Sequence, residues 1–125
     1  MRRLPLLALL CVTALPAAAQ DTPFDPKLEG VIRCYDAAAV YAQIYVITGK
    51  RDAVAKLNGY ASELKTRAYA IGDKDGRSRA DVRSEFADND SSYVHRFYIF
   101  GPAGMLPSEF GRGEIGACGL NKVLK

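Results

Sequence analysis

The sequence predicts an all-α protein: a small bundle of three main helices over about residues 26–48, 52–71 and 78–100, then a glycine-rich C-terminal segment and a short final helix tied back by a disulfide. Three observations carry this prediction. Apolar residues recur at three- and four-residue spacing in each stretch, which lines up one face of a helix. Glycines punctuate the stretches at Gly49 and again between Gly72 and Gly76. Two cysteines, Cys34 and Cys118, remain once the N-terminal segment is set aside.

That segment reads as a cleavable export signal over residues 1–19. Arg2 and Arg3 form a positive start, Leu4 to Leu15 an apolar stretch, and Ala17-Ala18-Ala19 a small-residue cleavage site. Pro5 and Pro16 interrupt an apolar run that is short of the roughly 20 residues a membrane span needs, so no stable span is expected after cleavage. Cys11, preceded by Leu10 rather than a small residue, leaves with the signal. Residues 20–125 then form one domain, expected in the periplasm or secreted. The formal net charge of +3 falls to +1 without Arg2 and Arg3. Arg77, Arg79 and Arg83 form the densest basic group, but Asp73, Asp75 and Asp81 interleave with them, which argues against a nucleic-acid partner.

After a leader over residues 20–24, Asp25 and Pro26 suit the N-cap and first position of the first helix. Leu28, Val31, Ile32, Tyr35, Ala38, Ala39, Ala42 and Val46 follow on one face, and Gly49 ends the run. Val40, Ile44 and Ile47 fall on the opposite face, so this helix is either central or has a partner. In the second helix, Asp52 is the expected cap, Val54, Leu57, Ala61, Leu64, Ala68 and Ile71 form the stripe, and Gly72 is the expected left-handed stop. Ser78 with Asp81 resembles a capping box opening the third helix, which carries Val82, Phe86, Tyr93, Phe97 and Phe100 across a polar waist at Asp88–Ser92. The alternative for its second half is a strand, since Tyr93 to Phe100 is rich in β-formers.

The tail, with six glycines between Gly101 and Gly119, reads as loop with short helical turns at about 108–110 and 117–124. A Cys34–Cys118 bridge would close a loop of about 84 residues and contribute roughly 4–5 kcal/mol by restricting the unfolded chain.

Familiar motifs fail on their context. Gly111-Arg112-Gly113-Glu114-Ile115-Gly116 matches the dinucleotide fingerprint, yet only nine residues follow Gly116, short of the acid about 20 positions on. Placing Gly76 at position six of a calcium loop puts Ile71 and Val82 where acids are required. His95, the single histidine, shares a helical ridge with Asp88 and Ser91, but neighbours on one ridge supply neither oxyanion hole nor cleft. One histidine and a bridged cysteine pair fall short of a metal site, and no cofactor is expected. The tyrosines bury rings and leave hydroxyls wet, or they form a contact surface.

The resulting expectation is a non-enzymatic protein-interaction module of the envelope, of inhibitor, immunity-type, chaperone-like or accessory kind. Its surface would be Val40, Tyr41, Ile44, Tyr45 and Ile47 on the first helix, meeting another envelope or secreted protein or a second copy of the chain. Two other readings stay open. One is a carrier with an apolar cavity between helices and Tyr41, Tyr45 and Tyr98 as polar handles. The other is a small enzyme acting through His95 or a free cysteine.

Overall fold

The computed structural model describes residues 27–125, so the export segment, the leader and the Asp25-Pro26 helix start lie outside the described residues. The elements run α1 (Leu28–Ile47), α2 (Arg51–Lys74), α3 (Arg79–Phe97), β1 (Tyr98–Gly101), β2 (Gly104–Pro107), α4 (Glu109–Ala117) and α5 (Leu120–Val123). The described residues are predominantly helical, with three long helices and two short strands. None of these helices is long and apolar enough to cross a membrane.

Helix α1 is apolar on opposite faces because it is the central element, packed against α2, α3, α4 and β2. Val31, Cys34, Ala38 and Ala42 are buried on its main stripe, and Val40 and Ile44 are buried as well. Its exposed large apolar residues are Val46 and Ile47, at its end. Lys27 flanks its start without a side-chain cap. At the other end, Gly49 N–H donates to the Val46 carbonyl and Lys50 N–H to that of Tyr45, satisfying the last turn.

Helix α2 buries Leu57, Ala61, Leu64 and Ala68, as its stripe predicts. Its ends differ from the sequence reading. Asp52 sits in the first turn, where its charge suits the positive end of the helix dipole, and Lys50 holds the cap position. Gly72 does not stop the helix, which continues to Lys74. It lies against Val82, so its missing side chain lets α3 approach. The left-handed residue is Gly76, at φ 76°, with Arg77 N–H donating to the Gly72 carbonyl at 2.8 Å. Ser78 then caps α3 by accepting from Asp81 N–H at 3.1 Å.

Helix α3 runs through the polar waist and buries Val82, Tyr93 and Phe97. It stops at Phe97, short of the predicted residue 100. Tyr98–Gly101 instead pairs antiparallel with Gly104–Pro107, with Ile99 opposite Leu106 and Phe100 opposite Met105. The cause is local: Pro102 cannot extend a helix, and the preceding Tyr-Ile-Phe favours a strand. Its partner strand escaped the sequence reading because it is four residues long and lies among glycines and prolines.

The glycine-rich tail is also more ordered than predicted. Ser108 caps α4 by accepting from Gly111 N–H, and α4 continues for nine residues through Gly113 and Gly116. Gly119, at φ 65°, divides α4 from α5, so residues 117–124 are not one helix. The Cys34–Cys118 disulfide, with a Cα–Cα distance of 5.4 Å, fastens this end to the centre of α1.

Candidate functional site

A polar group interrupts the otherwise apolar centre of the bundle. Asp36 stands one turn after Ile32 and one before Val40, inside the buried face of α1, and is 2% exposed. Asn89 of α3 donates its side-chain amide to Asp36 Oδ2. Burial pushes the Asp36 carboxyl up to about 6; the Asn89 bond opposes the shift and the nearby charge of Asp90 adds to it.

A second buried set lies where α1, α3 and α4 meet. Glu114 Oε1 accepts from the Tyr93 hydroxyl at 2.8 Å and lies 3.0 Å from Arg33 Nε. Burial, followed by the Glu114 charge, pushes the Tyr93 hydroxyl far above the ordinary phenol range. Arg33 Nη2 is buried with no hydrogen-bond partner. Three helices are thus joined at one carboxylate.

The surface opens into clefts on either side of the Asp36–Asn89 pair. Glu29, Arg33, Glu85, Asp88 and Asn89 line one of them, between α1 and α3. The other, of about 370 Å³, lies among α1, α2 and α3 and has Asp36 in its lining. Tyr35 and Phe86 meet there edge to face with centroids 4.9 Å apart, and Tyr69 lies 5.9 Å from Phe86. Lys65, Arg83 and Asp90 complete its charged lining. Arg79 lies over the Tyr69 ring at 4.3 Å and within 3.9 Å of Asp73, which holds that ring in place.

The hairpin has the opposite character. No residue from Tyr98 to Pro107 is charged, and Ile99, Phe100 and Leu106 are 52%, 74% and 45% exposed. Its base is firmly held. Ser108 N–H donates to the Phe97 carbonyl at 2.8 Å and the Ser108 hydroxyl donates to that of Arg96. Met105 packs on the core.

The residues expected to form a contact surface on α1 separate into two groups. Val40 and Ile44 belong to the chain's own core, because α1 is covered on both sides, and they are not a surface. Tyr41 and Tyr45 are half-buried, with their hydroxyls 3.1 Å apart, and Ile47 is 58% exposed. Tyr98 stacks edge-on against Phe100 in the hairpin, so it is occupied there rather than paired with Tyr41 and Tyr45. His95 is exposed near the end of α3, and Ser91 donates to the Asp88 carbonyl rather than to His95. Among the described residues, no group of three or more His, Cys, Asp or Glu side chains could hold a metal ion.

Sequence reasoning missed Asp36, Asn89, Arg33 and Glu114. Asp36 stands seven residues from both Glu29 and Gln43, the exposed polar line of α1, so nothing local marks it as buried. Glu114 was hidden inside the glycine pattern, and Asn89 inside a run that reads as a solvated waist. None of the family models, curated proteins or solved structures compared with the chain matches it.

Proposed function

We propose that this chain is an exported protein-interaction module whose contact surface is the hairpin Tyr98–Pro107, with Phe100 as its anchor. The observation that carries this reading is the exposure of Ile99, Phe100 and Leu106 on a ten-residue segment without charge. Aromatic side chains that fill a partner's pocket supply a large share of binding energy at interfaces. A hairpin fixed at its base loses little conformational entropy on binding, which favours affinity. The partner is a protein offering an apolar groove to an uncharged hairpin. The export-signal pattern and the Cys34–Cys118 bridge support an oxidising compartment outside the cytoplasm.

The test starts by capturing partners on mature, oxidised protein and purifying them. Affinity is then compared between the wild type and Phe100→Ser, with Lys74→Ala as a control. Truncating an interface anchor weakens binding at least about tenfold, equal to about 1.4 kcal/mol. Equal affinities for wild type and Phe100→Ser overturn the reading. Sizing across a concentration series distinguishes a second copy of the chain as the occupant.

A further inference from the structure

We propose that the aromatic-walled cleft among α1, α2 and α3 binds a small zwitterion with an apolar side group, such as an aromatic α-amino acid, its ammonium at Asp36 and its carboxylate at Lys65 and Arg83. Two features of the cleft point there. One is the floor: a carboxylate at 2% exposure is expensive to hold charged, and this one receives a single neutral amide from Asn89. Neither Lys65 nor Arg83 forms an ion pair with it, whereas Arg33, Arg77 and Arg79 pair with Glu114, Glu85 and Asp73. A ligand ammonium supplies the cation that the chain withholds.

The other feature is the balance of charge. Two carboxylates, Asp36 and Asp90, and two cations, Lys65 and Arg83, line the same opening. A ligand of one net sign meets both attraction and repulsion there, whereas separated opposite charges on one molecule satisfy both. The Tyr35–Phe86–Tyr69 rings provide an apolar wall for a side group. The volume of about 370 Å³ is at the small end of the roughly 300–1,000 Å³ of ligand clefts, which suits an amino acid rather than a nucleotide.

The experiment titrates mature, oxidised protein at pH 7.5 with four probes, following backbone amides by NMR. L-phenylalanine carries both charges and a ring, phenethylamine only the ammonium, 3-phenylpropionate only the carboxylate, and glycine no side group. L-phenylalanine is expected to shift the amides around Asp36 and Phe86 in a saturable way, with the other three probes at least tenfold weaker. Asp36→Asn, close in shape and still able to bond Asn89, should weaken L-phenylalanine at least tenfold with its fold checked by circular dichroism. Lys65→Gln with Arg83→Gln, both on the exposed surface, should do likewise, whereas Lys74→Ala should leave binding unchanged. Phenethylamine binding as tightly as L-phenylalanine overturns the proposal. So does unaltered L-phenylalanine binding in the Lys65/Arg83 variant, or no response to any probe.

Discussion

Helices α1 and α2 meet through one cluster of aliphatic side chains, with Ala37, Ala38 and Ala42 contributed by α1 and Leu57, Ala61 and Leu64 by α2. From Tyr98 onward the buried hydrophobic side chains are Ile115, Cys118 and Leu120. Helix α4 carries three glycines, each about 1 kcal/mol poorer than alanine in a helix interior. Specific ties compensate: the disulfide to α1, Glu114 bridging Tyr93 and Arg33, and Ser108 fastened to the end of α3. The first region would tolerate changes that keep its apolar stripe. The second depends on particular atoms, because it has little area to spare.

Removing the bridge is the strongest way to break this contrast. Cys34→Ala with Cys118→Ala is expected to lower stability by about 4–5 kcal/mol, and urea unfolding measures it. Hydrogen exchange should then show the amides of α4 and α5 opening well before those of α2. Protection lost evenly across all helices would show that the two regions unfold as one unit.

The polar interior gives a pH-dependent effect of intermediate size. Asp36 binds its proton more tightly in the folded chain, near pH 6, than an ordinary aspartate does at 3.8. Between those values the native state holds more protons, so stability falls as pH rises from about 4 to about 6, by no more than about 3 kcal/mol. Burial is the main cause of this shift, the Asn89 amide opposes it and the charge of Asp90 on α3 adds to it. Unfolding of wild type and Asp36→Asn at pH 4, 5, 6 and 7 should show this downward slope in the wild type alone. Parallel curves would remove Asp36 as its source.

The smallest effect separates two glycines of one helix. A Cβ on Gly111 would run into the Phe97 carbonyl, whereas one on Gly113 meets nothing within 4 Å. Gly111→Ala is therefore expected to destabilise by about 1–3 kcal/mol. Gly113→Ala should stabilise by up to about 1 kcal/mol. Thermal unfolding of the two variants checks the opposite signs.

Helices α1 and α2 were legible because a stripe at three- and four-residue spacing is a local property, from Leu57 through Ala68 as from Val31 through Ala42. The hairpin was not legible, since Tyr98–Phe100 becomes a strand only when Met105 and Leu106 turn back beside it. Asp36 shares a helical line with the exposed Glu29 and Gln43, and its partner Asn89 is 53 residues away and resembles any solvated residue of the waist. The glycine pattern around Glu114 hid a packing requirement, since a Cβ on Gly111 would meet the Phe97 carbonyl.

By itself the sequence determined the three long helices, their inward stripes and the cysteine pair, because periodicity and residue chemistry act within a few turns. Tertiary structure decided that Val40 and Ile44 are core rather than surface, since only packing of α2, α3, α4 and β2 covers both sides of α1. It also decided where apolar surface remains, at Val46, Ile47, Ile99, Phe100 and Leu106, and that a buried carboxylate shares a cleft lining with three aromatic rings. Burial is a relation between distant segments, and no local pattern encodes it.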